Sequence, residues 1–374
     1  MKLKDICEIN PRMQKIDDST EVSFVSMPSV SEDGKIDTTD IRRYSDVKKG
    51  YTSFKENDVL FAKITPCMEN GKGAIARGLR NGYGCGSSEF HVLRSNDKAM
   101  PEWIYCLTSW QRFREKAEKH MTGSAGQRRV PKQYLENYEI RLPGLKVQAQ
   151  QVETLMHLRS IIDRRITEVR SFDELIKARF VEMFGDPILN QKGFPVYRMD
   201  EIVEFQGGSQ PDKKYFEYES TDDNIRLIQI RDYKTDNYIT YIPKAMAKRF
   251  CTAEDIMIGR YGPPIFQILQ GIEGAFNVAL MKATPRQGNR EYVRWFLKQD
   301  CLLHYLEGMS KRTAGQDGIQ MDKLKTYPFP LAPKELQEQF ATFATQVDKS
   351  KAAVQKSLDE TQMLFDSLMQ KYFG

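Results

Sequence analysis

Two long stretches of this chain place apolar residues three and four positions apart. The first carries Val152, Leu155, Ile162, Ile166, Val169, Phe172, Ile176, Phe180 and Met183. The second carries Phe340, Phe343, Val347, Val354, Leu358, Phe365, Leu368 and Tyr372. That spacing is the seam of a coiled coil. It predicts helices from about Val147 to Phe184 and from about Pro333 to Tyr372. At 1.5 Å per residue each would span roughly 55 Å. Gly185-Asp186-Pro187 supplies the stop that the first helix needs. Neither stripe can face water, so the simplest expectation is that the helices pack on each other. The predicted seam sets Leu155, Ile162, Ile166, Val169 and Ile176 against Phe343, Val347, Val354, Leu358 and Phe365. The alternative is that each helix folds back onto its own domain as core.

The regions before these helices read as mixed α and β, and they read twice. Thr122-Gly123-Ser124-Ala125-Gly126-Gln127 returns as Lys311-Arg312-Thr313-Ala314-Gly315-Gln316. Each string leads to a short helix (Val130 to Leu135; Ile319 to Leu324) and an extended aromatic segment (Tyr138 to Leu142; Tyr327 to Leu331). Proline follows, then a glutamine-rich helix start with Gln148, Gln150 and Gln151 or Gln337 and Gln339. Asp5-Ile6-Cys7-Glu8 matches Glu201-Ile202-Val203-Glu204. Glu56-Asn57-Asp58-Val59-Leu60 matches Ala253-Glu254-Asp255-Ile256-Met257, in each case a turn before a buried strand. Glu102-Trp103-Ile104 matches Glu291-Tyr292-Val293 at the start of an apolar-periodic helix. Such a repeat is far longer than the roughly 20–50 residues of a solenoid unit. It means two whole domains and two whole helices. The offset falls from about 197 at the aspartate to about 189 at the helix, so the loops between Asp58 and Glu102 differ while the scaffold repeats.

Composition narrows the class only a little. The 374 residues allow two ordinary domains with real cores. The net charge of +5 permits nucleic-acid binding without demanding it. Cys7, Cys67, Cys85, Cys106, Cys251 and Cys301 form no Cys-x-x-Cys pair and no zinc spacing, which suits a reducing cytosol. Met1-Lys2-Leu3-Lys4-Asp5 has no apolar signal segment, and no apolar run approaches the roughly 20 residues of a membrane span. A cytoplasmic protein is expected.

The candidate chemistry is recognition rather than catalysis. In the repeated glycine strings, Thr122, Ser124, Gln127, Arg128 and Arg129, with Lys132 just beyond, bring hydroxyl, amide and cationic groups to a permissive backbone. Lys311, Arg312, Thr313 and Gln316 do the same in the second copy. Glutamine can pair with adenine, arginine with guanine, and both cations with phosphate. Lys63 and Arg260 follow the repeated strand at corresponding places, and Arg42, Arg43, Arg77, Arg231 and Lys213-Lys214 lie beside glycine or aromatics. Each of these is also readable as a solvated surface charge. Tyr261-Gly262-Pro263-Pro264-Ile265-Phe266 lacks the polar residue that an amino-methyltransferase carries before its prolines, so it reads as a turn. No phosphate-cradling Gly-x-x-x-x-Gly-Lys-Ser/Thr string is present. His91, His120, His157 and His304 are scattered, and no metal site is expected. Asp58 and Asp255 read as turn residues ahead of a strand. Trp103, Trp110 and Trp295 fall at helical spacing that favours core packing.

The ordered pattern of globular domain, long helix, globular domain, long helix resembles the specificity subunit of type I restriction–modification systems. The resemblance rests on an Ala-Gly-Gln string and a proline-to-glutamine helix entry in each half, and it covers essentially the whole chain. It implies target-recognition domains at 1–145 and 191–333, with spacer helices at 146–190 and 334–374. The implied fold is α+β and pseudo-two-fold, with the helices pairing as an antiparallel coiled coil. It further implies a non-catalytic chain that reads a bipartite double-stranded DNA target. Partners would be two modification (methyltransferase) subunits and motor-nuclease restriction subunits. S-adenosylmethionine, and ATP with magnesium, would sit on those partners and no cofactor on this chain. A DNA-modifying enzyme with a cryptic site and a structural scaffold are the alternatives.

Overall fold

The computed structural model describes residues 1–12, 16–124, 126–261, 265–310 and 319–374, without the side chains of 308–310. The contact network divides the chain into two compact units. The first joins Met1–Ile166 to Lys356–Gly374, and the second is Thr167–Gln355.

The first unit opens with β1 (Cys7–Ile9), β2 (Glu21–Val25), β3 (Ile41–Arg43), α1 (Tyr44–Val47), β4 (Thr52–Lys55) and β5 (Val59–Ala62). It continues with β6 (Gly73–Ile75), β7 (Tyr83–Gly86), β8 (Phe90–Ser95), α2 (Pro101–Ser109), α3 (Gln111–Glu118), α4 (Lys132–Asn137) and the start of α5 (Leu145–Phe184). Two four-stranded sheets form, in the orders β1-β8-β5-β6 and β3-β2-β7-β4. Among the described residues only β2 and β7 run parallel in this unit. Strand β5 is buried along its whole length, as a central strand with both faces covered should be.

The second unit repeats this design. Its strands are β9 (Val196–Arg198), β10 (Val203–Gly207), β11 (Asn224–Ile228), β12 (Tyr241–Pro243), β13 (Phe250–Cys251), β14 (Ile256–Gly259), β15 (Gln267–Gln270), β16 (Gly274–Phe276), β17 (Leu280–Pro285) and β18 (Pro328–Pro330). Its helices are α6 (Met199–Ile202), α7 (Arg290–Leu297), α8 (Asp300–Ser310), α9 (Met321–Thr326), the rest of α5 and the start of α10 (Lys334–Phe373), whose end from Lys356 belongs to the first unit. The sheets are ordered β10-β17-β14-β15 and β12-β11-β16-β13. Position by position these match the sheets of the first unit, down to a single parallel pair, β11 with β16. The repeat legible in the sequence is therefore a repeat of topology.

The long helices pair antiparallel within each unit. In the first, Arg165 of α5 donates to the Ser357 carbonyl of α10 at 2.7 Å and to the Thr361 hydroxyl. In the second, Lys351 meets Asp173 at 2.6 Å, and the Phe180 and Phe340 rings lie 5.3 Å apart. Of the predicted seam, Leu155, Ile162, Ile176 and Val347 are buried. Ile166, Val169, Phe343, Val354, Leu358 and Phe365 are half-buried. The helices also serve as core. Val152, Leu155 and Met369 join the cluster around Trp103, and the Trp103 and Phe373 rings lie 5.0 Å apart. Ile176, Phe180, Phe340 and Ala344 join the cluster around Trp295. Helix pairing and folding back onto a domain, posed as alternatives, are one arrangement. Trp103, Trp110 and Trp295 are all buried in it.

A buried glutamine fixes each helix entry. Gln148 donates to the carbonyls of Pro143 and Lys98, both at 2.8 Å, and accepts the Met100 amide at 3.0 Å. Gln337 donates to the Ala332 carbonyl at 2.7 Å and accepts the Asn289 amide at 2.6 Å. Met100 and Asn289 are the residues that precede α2 and α7. One amide group thus ties the start of a long helix to the start of the helix beneath it. An apolar replacement would strand those buried backbone groups at roughly 1–3 kcal/mol each.

Two local expectations change. The segment from Tyr138 to Leu142 is a single bridge, Lys2 to Glu139, rather than a strand. Its counterpart is the short β18, paired with β9. The helices expected at Val130 and Ile319 begin later, at Lys132 and Met321. Val130 is occupied elsewhere: its amide donates to the Lys63 carbonyl at 2.9 Å, and Pro131 caps the helix instead.

Candidate nucleic-acid interface

The first glycine string forms a hairpin strapped to the central sheet. The amides of Thr122 and Arg129 donate to each other's carbonyls at 3.0 and 2.8 Å. Thr65 donates to the Arg128 carbonyl at 3.0 Å, so the base of the hairpin is laid along the segment that follows β5. Gly123 has φ +121, where a side chain is strained, and a Cβ there would lie 2.9 Å from the Gln127 carbonyl oxygen. Ser124 and Gln127 are left exposed at the tip and Thr122 at the base, with Arg128 half-buried.

Carboxylates hold the cations at the base. Arg129 makes a bidentate pair with Glu89, Nε to Oε2 at 2.9 Å and Nη2 to Oε1 at 2.8 Å, and its Nη1 donates to the Gln127 carbonyl at 2.9 Å. The Arg129 hydrogen bonds hold the Glu89 carboxyl below the usual carboxylate range, aided by the charges of Arg129 and Lys63. Arg128 lies more loosely, 3.4 Å from Glu118 and 3.8 Å from Glu69. Arg129 therefore positions the hairpin, Ser124 and Gln127 are exposed, and Arg128 is the less tightly held of the two cations. The sequence points to the cations but not to Glu89, which has no local signal and meets Arg129 only in the fold.

Beneath the hairpin sits His91, also unmarked in the sequence. Its Nε2 donates to the Val130 carbonyl at 2.8 Å, and its Nδ1 accepts from Asn10 Nδ2 at 3.0 Å. Burial pushes the imidazole down to about 4 from 6.5. The ring is neutral when folded, and the unfolded chain takes up the proton first. Stability should therefore fall as pH drops from about 6.5 to about 4, by roughly 3 kcal/mol at most. Urea midpoints at pH 7 and pH 4.5 would read this. The gap should narrow in His91→Gln, and an identical gap in both proteins would refute the assignment.

The other predicted cations are dispersed. Lys132 pairs with Glu136 at 3.3 Å on α4. Arg42 pairs with Asp40 at 2.7 Å and lies 3.7 Å over the Phe24 ring, with Arg43 exposed beside it on β3. Arg77 pairs with Glu102. None of Arg42, Arg43 and Arg77 shares a hydrogen bond or ion pair with the hairpin among the described residues. In the second unit Arg231 donates to the Thr240 hydroxyl at 3.1 Å and lies 5.7 Å from the Tyr238 ring. Arg260 lies 5.4 Å from the Tyr261 ring. Lys311, Arg312, Thr313 and Gln316, and the turn at 262–264, lie outside the described residues. Among the described residues no group of acids, histidines and cysteines could hold a metal ion. Nor is any helix among them long and apolar enough to cross a membrane.

Comparison with known proteins places this hairpin within a described domain. Residues 1–170 match the type I restriction modification DNA specificity domain. The EcoEI and EcoAI specificity subunits of Escherichia coli are 41% and 42% identical to this chain over 165 residues. That stretch is 43% of this chain and 28% of either relative, so the match spans less than a third of their length. The S subunit of a type I restriction–modification system from M. genitalium has a TM-score of 0.54 at 15% identity, covering 100% of this chain and 95% of that one. A chain from a structure of a type I R-M system in complex assembly gives 0.56 at 19%, covering 100% and 96%. At these identities the likeness is one of fold. Residues 1–170 are thus similar to the type I restriction modification DNA specificity domain, and the chain as a whole shares the fold of the solved S subunit.

Proposed function

We propose that this chain is the non-catalytic DNA-recognition subunit of a type I restriction–modification system. Each unit reads one half of a bipartite double-stranded target. The observation that carries this reading is the hairpin of the first unit. Its base is pinned by backbone bonds and by Glu89, while Ser124 and Gln127 at its tip are exposed and Arg128 is the less tightly held of its two cations. Base readout needs side chains held in register in this way. The second unit repeats the scaffold with different loops, so the two half-sites need not match.

The long helices suit docking of modification subunits. Leu175 on α5 and Leu364 on α10 occupy equivalent positions in the repeat, and both are about half exposed. Such paired apolar points favour two copies of one partner. In this reading, adenine methylation and its S-adenosylmethionine belong to those modification subunits, and Mg–ATP belongs to the restriction subunits.

Methylation mapping tests the proposal. The chain would be expressed with its modification subunit in a methylation-free host and the modified adenines sequenced. A two-part motif with a fixed gap is the expected result, and exchanging residues 191–333 should change one part only. A soluble complex that modifies no DNA would overturn the reading.

A further inference from the structure

One position of the repeat is answered differently in the two units. Lys63 follows β5, and Arg260 follows β14. The Lys63 amide donates to the Glu89 carbonyl at 2.9 Å, and the Arg260 amide donates to the Ala279 carbonyl at 2.9 Å. The backbone makes the two residues structural equivalents. Their electrostatic surroundings are opposite. Lys63 stands beside the Glu89 carboxylate, already engaged by Arg129. In the second unit position 279 is alanine, and in sequence the repeat aligns Gly318 with Arg129. Acid and base have been replaced together.

Among the described residues Arg260 has no side-chain hydrogen bond or ion pair. It is half-buried and has no carboxylate within 4.0 Å among the described residues, and its buried Nε has no hydrogen-bond partner. Its Nη1 lies 3.7 Å from where a side chain on Gly207 would begin, and the guanidinium lies 5.4 Å from the Tyr261 ring, which is 45% exposed. A guanidinium is always charged and carries five donors in a rigid plane. Half-burying it without an acceptor costs free energy that a ligand would recover. Phosphate can accept such a fork from many directions, whereas a guanine edge accepts it only in the plane of the base. A planar fork beside an aromatic ring suits the flat edge of a base better than a phosphate.

Building on the DNA-recognition reading, we infer that Arg260 reads a guanine in the half-site of the second unit, while its equivalent Lys63 supplies charge without base selection. The two units divide the work differently at one backbone position.

Methylation mapping of the co-expressed complex tests this with Arg260→Gln, Arg260→Lys and Lys63→Gln. Both Arg260 variants should relax one guanine position of one half-site, on the order of tenfold to a hundredfold in relative occupancy. Arg260→Lys keeps the charge, so total occupancy should fall less than in Arg260→Gln. Lys63→Gln should lower occupancy at all sites alike without relaxing a base. If both Arg260 variants keep the parental motif, or Arg260→Lys alone keeps it, the inference fails while DNA recognition stands. A loss uniform across all sequences would reassign Arg260 to phosphate and also overturn it. If the unaltered complex gives no motif, the DNA-recognition reading falls and this inference with it.

Discussion

Asp58→Ala is expected to destabilise the first unit by about 3–5 kcal/mol, the cost typical of breaking a buried charge pair from one side. The Asp58 side chain is 1% exposed and has both oxygens in use. Oδ1 accepts Arg94 Nε at 2.8 Å, and Oδ2 accepts Arg94 Nη2 at 2.7 Å and the Lys55 amide at 2.8 Å. Removing it leaves a mostly buried guanidinium without its partner and opens the turn before β5. The matched aspartate of the second unit supplies the control. Asp255 also accepts a turn amide, from Thr252 at 2.8 Å, but its side chain is 22% exposed and its cation, Lys282, is 3.5 Å away. Asp255→Ala should cost only about 1 kcal/mol. Urea unfolding with hydrogen exchange at β5 and β14 would separate the two, and equal losses would refute the argument.

The second large effect concerns the hairpin. Arg129→Glu should weaken DNA binding by roughly tenfold, because the bidentate pair that holds the hairpin is lost and two carboxylates are set face to face. The reciprocal exchange, Glu89→Arg with Arg129→Glu, tells position from contact. It restores the pair with the charges reversed. Since Arg129 acts by holding the hairpin, the double variant should regain most of the lost affinity and thermal stability. A double variant as stable as the parent yet no better at binding DNA than Arg129→Glu would show that Arg129 touches DNA directly. Gln127→Ala, at the tip, should instead change selectivity with no change in melting temperature.

The sequence and the structure agree where the physics is local or periodic. The long helices are legible because a three-and-four spacing sustained over about nine turns has one physical solution. The repeat is legible because strand, turn and helix signals recur in the same order. Asp58 reads as a turn residue, and it is one. Its larger role is hidden, because Arg94 lies on another strand and nothing in the spacing joins them. Gln148 and Gln337 stand out as a composition, yet their function depends on Met100 and Asn289, which are brought under the helix only by folding. The hairpin cations illustrate the same limit. Arg128 and Arg129 are indistinguishable as a dipeptide, and only Glu89 separates the residue that holds from the residue that can reach out.

The division of the chain into units also constrains the order in which it is made. The second unit is one continuous stretch, Thr167–Gln355. The first is not: its core takes in Met369 and Phe373 alongside Trp103. During synthesis at about 5–20 residues per second, Trp103 leaves the ribosome well before the helix that covers it. The unit begun first is therefore finished last, and its tryptophan face stays uncovered while the second unit is made. The entropy of closing so long an intervening loop grows only with the logarithm of its length, so the delay is a matter of kinetics more than of final stability. A chain truncated after Gln355 would carry a complete second unit and an unfinished first one, with its apolar face open to chaperones.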